Sequence, residues 1–89
     1  MADAGSVNIR VRYFAAARSA AGTTEESITL TGRATVADAL QVVCAAHGTA
    51  LARVLDRCSY LLDEVAVHRT GEPLVDGATL DVLPPFAGG

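Results

Sequence analysis

The 89-residue chain has room for one hydrophobic core, since cores usually occupy about 100–150 residues and either half of this chain would be too small to fold alone. A hydrophobic share of 51% against 19% charged excludes a disordered chain. A net charge of −3 with scattered cations excludes the clustered basic face that nucleic acid requires.

In chain order, Met1 to Ser6 is short, polar and acidic, without the basic start and apolar run of a signal peptide, and reads as a flexible N-terminus over residues 1–6. Val7 to Tyr13 alternates strictly, with Val7, Ile9 and Val11 on one face and Asn8, Arg10 and Arg12 on the other, the pattern of a half-buried strand. Ala15 to Ala21 favours a helix closed by Gly22, and Ser27 to Thr31 alternates again with Ile28 and Leu30 inward. Thr35-Val36-Ala37-Asp38 has the form of a capping box. The long helix that follows carries Val36, Ala39, Leu40, Val43 and Cys44 at helical spacing, with Gly48 expected to close it in a left-handed conformation. Leu51, Val54 and Leu55 suggest a shorter helical turn.

Glu64 to His68 reads as a strand with Val65 and Val67 inward, Arg69-Thr70-Gly71-Glu72 as a turn, Pro73-Leu74-Val75 as a short edge piece, and Asp76-Gly77 as another turn. Thr79 to Leu83 is the last strand, with Leu80 and Val82 inward and Leu83 on the opposite face. This order predicts an α+β domain over residues 7–83, a mixed sheet of four to five strands covered on one face by one long helix. Residues 84–89 are expected to form an extended tail. No segment nears the roughly 20 apolar residues of a membrane helix, so a cytoplasmic location without membrane contact is expected.

Side-chain chemistry is scarce. No Walker-type or dinucleotide glycine loop is present. Cys44 and Cys58 have no metal-ligand spacing, so no metal site is expected, and Cys44 reads as a buried free thiol. His47 and His68 read as surface or capping residues. Asp63 and Glu64 are adjacent, point to opposite faces of an expected strand, and read as solvated. All seven basic residues are arginines, so no side-chain amine can accept an acyl group or form a Schiff base.

What remains is the end, Leu83-Pro84-Pro85-Phe86-Ala87-Gly88-Gly89. Two prolines favour an extended path, and six residues at about 3.1 Å each project roughly 15–20 Å. Gly88 and Gly89 lack side chains, so a carboxylate carried on them can thread a slot closed to any other pair. Leu83 and Phe86 flank the stalk as apolar groups suited to a docking patch. A carboxylate is inert at neutral pH until it is joined to a leaving group; adenylation by a separate ATP-using enzyme would accomplish that, and the chain would then be a substrate and carrier rather than a catalyst.

Several segments together resemble the small-subunit family of molybdopterin synthase. They are Ile9-Arg10-Val11-Arg12-Tyr13-Phe14-Ala15-Ala16-Ala17-Arg18 followed by Gly22, the Thr35-Val36 helix start with Leu40, Glu64-Val65-Ala66-Val67, Pro73-Leu74 with Asp76-Gly77, and the Pro-Pro-x-x-Gly-Gly end. His68 and Ala78 depart from the family pattern, which has Asn and an acid there. The resemblance implies a ubiquitin-like β-grasp with the first and last strands parallel at the sheet centre. It implies a non-catalytic sulfur carrier, active as a thiocarboxylate at its C-terminus and binding no cofactor itself. Gly89 would be adenylated at the expense of ATP by an activating enzyme, converted to a thiocarboxylate, and inserted with Gly88 and Ala87 into a large catalytic subunit, there giving sulfur to cyclic pyranopterin monophosphate. Leu83, Pro84, Pro85, Phe86, Phe14 and Arg18 would form the partner surface. A carrier for thiazole or cysteine synthesis, a protein modifier joined to lysines, and a binding module with an inert tail stay open as alternatives.

Overall fold

A computed structural model describes residues 5–85. The elements are β1 (Ser6–Tyr13), α1 (Ala15–Ala21), β2 (Glu25–Thr31), α2 (Val36–His47), α3 (Thr49–Leu55), β3 (Ser59–Leu62), β4 (Val65–Ala66) and β5 (Thr79–Leu83). They build one mixed sheet in the order β2-β1-β5-β3-β4. The first and last strands lie side by side in parallel, Arg10 opposite Thr79 and Tyr13 opposite Val82, and every other pairing is antiparallel. This is the β-grasp arrangement expected from the resemblance.

Period-two alternation sends Ile9, Val11, Tyr13, Leu80 and Val82 to one face, where they pack with Ala17, Val36, Ala39, Val43, Leu51 and Leu55 of the three helices. Each Val, Leu or Ile among them contributes about 1.5–3 kcal/mol when removed from water. The capping box is complete: the amide of Asp38 donates to the Thr35 hydroxyl, and the amide of Thr35 donates to the Asp38 carboxylate at 2.8 Å. The next two amides, of Val36 and Ala37, donate to the carbonyls of Glu72 and Thr70, which ties the long return loop to the start of α2.

Four expectations are corrected. Gly48 has φ 86 and ψ −165, outside the left-handed helical region, in a conformation open essentially to glycine alone, and it joins α2 directly to α3 instead of ending a helix in a loop. The strand expected at Glu64 to His68 shrinks to Val65–Ala66, and a strand at Ser59–Leu62 precedes it. Asp63 and Glu64 have φ 49 and 71, the signature of a two-residue type I′ hairpin, which turns the chain where the alternation suggested it ran straight. Val65, at the hairpin's tip, is therefore 66% exposed rather than inward. Finally, Cys44 is only half-buried, and burial raises its thiol above the ordinary value. The Pro73–Val75 piece pairs through Pro73 with Thr35, and Leu74 is buried while Val75 is exposed.

Candidate functional site

β5 is the strand from which the tail departs. It lies between β1 and β3, so its last residues are fixed from both sides. Leu83 pairs with Ser59 and lies half-buried on the open face, as the alternation requires. Pro84 is buried and Pro85 exposed, so the chain passes from packed interior to surface within one peptide step. Phe86, Ala87, Gly88 and Gly89, the residues expected to dock and to carry the reactive carboxylate, lie outside the described residues.

Phe14 follows β1 as the N-cap of α1, half-buried, and its amide donates to the carbonyl of Val82 at 3.3 Å. The backbone turns at Ala15, whose φ of 49 is rare for a residue with a side chain and is tolerated here by a methyl. Phe14 is thus brought to the end of β5. Arg18 is exposed in the last turn of α1, and its guanidinium makes no ion pair among the described residues.

On the open face the parallel register sets Arg12 beside Asp81. Arg12 donates through Nε to Oδ1 at 2.7 Å and through Nη2 to Oδ2 at 3.0 Å, a bidentate fork. Asp81 is 5% exposed. Its hydrogen bond and charge hold the Arg12 guanidinium above its already high ordinary value. The same guanidinium sits 5.6 Å from the centre of the Phe14 ring. This chain of contacts, Asp81 to Arg12 to Phe14, braces the ring next to the root of the tail. In the sequence Arg12 is one of a polar row on β1 and does not announce this pairing; a charged residue between Leu80 and Val82 in a central strand is the available signal.

A second cluster lies between β1, β2 and the end of α2. The Tyr13 hydroxyl donates to Glu26 Oε2 at 2.5 Å, and His47 Nε2 meets the same oxygen at 2.6 Å, with its ring edge-on to Tyr13. Burial first, and the Glu26 bond second, push the tyrosine hydroxyl well above its ordinary value. His47 thus pins a helix end to the sheet, a role that spacing in the sequence did not reveal. Tyr60 is likewise pushed up to about 12, chiefly by burial, and donates to the carbonyl of Leu55 at 2.8 Å. His68 is exposed. Among the described residues no three or more His, Cys, Asp or Glu are gathered to hold a metal ion, and no helix is long and apolar enough to cross a membrane.

The profile of the ThiS family matches residues 11–89. The chain is 36% identical, over 84 residues, to the molybdopterin synthase sulfur carrier subunit of Chlamydomonas reinhardtii, a match that covers 93% of this chain and 100% of that protein. Among solved structures it is similar to SAMP1, a small archaeal modifier protein of Haloferax volcanii, with a TM-score of 0.80 and 31% identity over 92% of this chain and 99% of that one. It is also similar to a putative molybdopterin converting factor, subunit 1, from Pyrococcus furiosus, with a TM-score of 0.76 and 28% identity over 89% and 98%.

Proposed function

This chain belongs to the ThiS family, and we propose that it is the sulfur carrier subunit of a cytoplasmic molybdopterin synthase. The observation that carries the reading is that the family match runs through Gly88 and Gly89, while a relative whose whole length is covered is itself such a carrier. Gly89 is the working residue. One oxygen of its carboxylate attacks the α-phosphorus of ATP in an activating enzyme, and pyrophosphate leaves. A sulfide equivalent then attacks the acyl carbon and AMP leaves, so that a C–S bond replaces a C–O bond.

The thiocarboxylate enters a large catalytic subunit with Gly88 and Ala87 in its slot. Its sulfur becomes a dithiolene sulfur on cyclic pyranopterin monophosphate, and water attacking the acyl carbon restores the carboxylate. The carrier's own side chains do no chemistry. Phe14, Leu83, Pro84, Pro85, Phe86 and Arg18 meet the partner, and Pro84, largely buried, also roots the stalk against the domain.

Production of the chain together with its activating enzyme tests this. Intact mass should rise by about 16 Da as sulfur replaces oxygen. Deletion of Gly88-Gly89 should abolish both that gain and cofactor assembly; normal assembly by the truncated chain would refute the proposal. The likeness to SAMP1 favours one second reading, a modifier linked through Gly89 to lysines of other proteins. Covalent high-mass species that survive reducing denaturation would support that reading over the first.

A further inference from the structure

Beside the root of the tail an open groove of about 550 Å³ runs between α3, α1 and the Pro84-Pro85 step. Its floor is apolar, made by Val54, Ala16 and the two prolines. Its rim carries Arg53 and Arg57, four residues apart and both exposed. Neither forms an ion pair or a side-chain hydrogen bond among the described residues. Asp56 also borders the groove, yet it faces the neighbouring cleft between α2 and α3 as well, where its charge helps to raise Cys44 and Tyr60.

Two unpaired guanidinium groups on an apolar rim run against a chain whose net charge is −3. Water solvates them while the chain is free. Covered by another protein they must be matched, because a buried unpaired charge is costly, and the planar guanidinium fork is matched best by a carboxylate. The position of the groove selects the partner, since Pro84 and Pro85 belong both to it and to the tail's root. A protein that grips the residues after Pro85 is therefore continuous with the groove.

We propose that the groove docks an acidic segment of the large catalytic subunit, with carboxylates on Arg53 and Arg57 and an apolar side chain between them on Val54 and the prolines. The inference rests on the functional reading above and adds to it a charged clamp outside the tail slot. Its contribution is electrostatic steering and register, in a pair whose tail supplies the reactive group.

The test compares wild type with Arg53→Glu/Arg57→Glu, each titrated by calorimetry with the large subunit of the same organism. The expected result is binding weakened about tenfold or more at low salt, with the gap closing near 0.5 M salt as screening sets in. Arg53→Lys/Arg57→Lys should retain part of the affinity, because the charge stays while the fork is lost. The melting temperature confirms that the variants fold, and the gain of about 16 Da with the activating enzyme should persist in both.

Equal affinity of wild type and the reversed variant overturns the groove and leaves the functional reading standing. A wild type that forms no complex at all overturns the functional reading itself. Loss of activation instead of loss of large-subunit binding, or a change in self-association, assigns the groove to another occupant and likewise overturns the proposal.

Discussion

The β1–β5 pair at the centre of the sheet and the β3–β4 ribbon at its edge share one hydrogen-bonded ladder but are held in place by different forces. At the centre, Val11, Leu80 and Val82 are fully buried beneath the helices, and on the reverse side Arg12 and Asp81 are locked in a bidentate pair. In the ribbon, Tyr60 and Leu62 are only half-buried, Val65 and Ala66 are exposed, and the geometry comes from a tight turn and from Asp63 accepting the Thr79 amide at 2.9 Å. Burial fixes the centre and backbone geometry fixes the edge. The tail grows from the centre, so its root inherits the rigid half of the sheet.

The sharpest way to break this contrast is Leu80→Ala. Leu80 has no exposed surface, and its removal should cost about 2–5 kcal/mol, a large part of the roughly 5–15 kcal/mol that holds a domain together. Urea denaturation reads the loss directly. A cost below about 1 kcal/mol would mean that the centre does not carry the stability assigned to it.

A smaller effect is expected on the open side of the same strands. Arg12→Met leaves the Asp81 carboxylate buried without its partner, and an orphaned acceptor of this kind costs about 1–3 kcal/mol. The double replacement Arg12→Met/Asp81→Val removes both charges and should recover much of that loss, because well-packed apolar groups replace a buried ion pair with little penalty. A double variant less stable than Arg12→Met alone would show that Asp81 supports the strand through contacts other than its pair with Arg12. Weakened large-subunit binding by Arg12→Met, at unchanged fold, would then report on the bracing of Phe14.

The centre was legible in the sequence because burial leaves a periodic trace. Val7-Asn8-Ile9-Arg10-Val11-Arg12 spells its strand, Thr35 with Asp38 marks the start of α2, and Leu80 and Val82 give the inward face of β5. The ribbon left no such trace. Leu61 is apolar but lies on the open face with Asp81, which spoils the alternation of β3, and the turn uses Asp-Glu where glycine or asparagine would have announced it. Contacts between residues distant in sequence were also invisible: Arg12 and Asp81 are 69 positions apart, and Glu26 meets His47 across 21. Of the candidate site, the tail's composition was plain from the start. The arginines beside it were not, because Arg53 and Arg57 acquire their meaning only when α3 is laid against Pro84 and Pro85.

The smallest expected effect has the opposite sign and lies in the ribbon. Glu64 holds φ 71, a left-handed conformation that strains a residue with a side chain by about 1 kcal/mol and suits glycine without strain. Glu64→Gly therefore removes the strain and makes the turn Asp-Gly, the preferred pair for this hairpin, while adding freedom to the unfolded chain. Since the two effects oppose, the net gain should be about 0.5 kcal/mol. Asp63 is the wrong residue to replace, because its carboxylate caps the Thr79 amide and its short polar side chain tolerates the left-handed region. Glu64 also lends its charge to Arg12, so a loss of stability in Glu64→Gly would show that electrostatics reaching from the sheet centre, not turn geometry, sets the edge. A gain, measured as a higher denaturation midpoint with unchanged large-subunit affinity, would confirm that the edge is governed by its backbone and stands apart from the docking face.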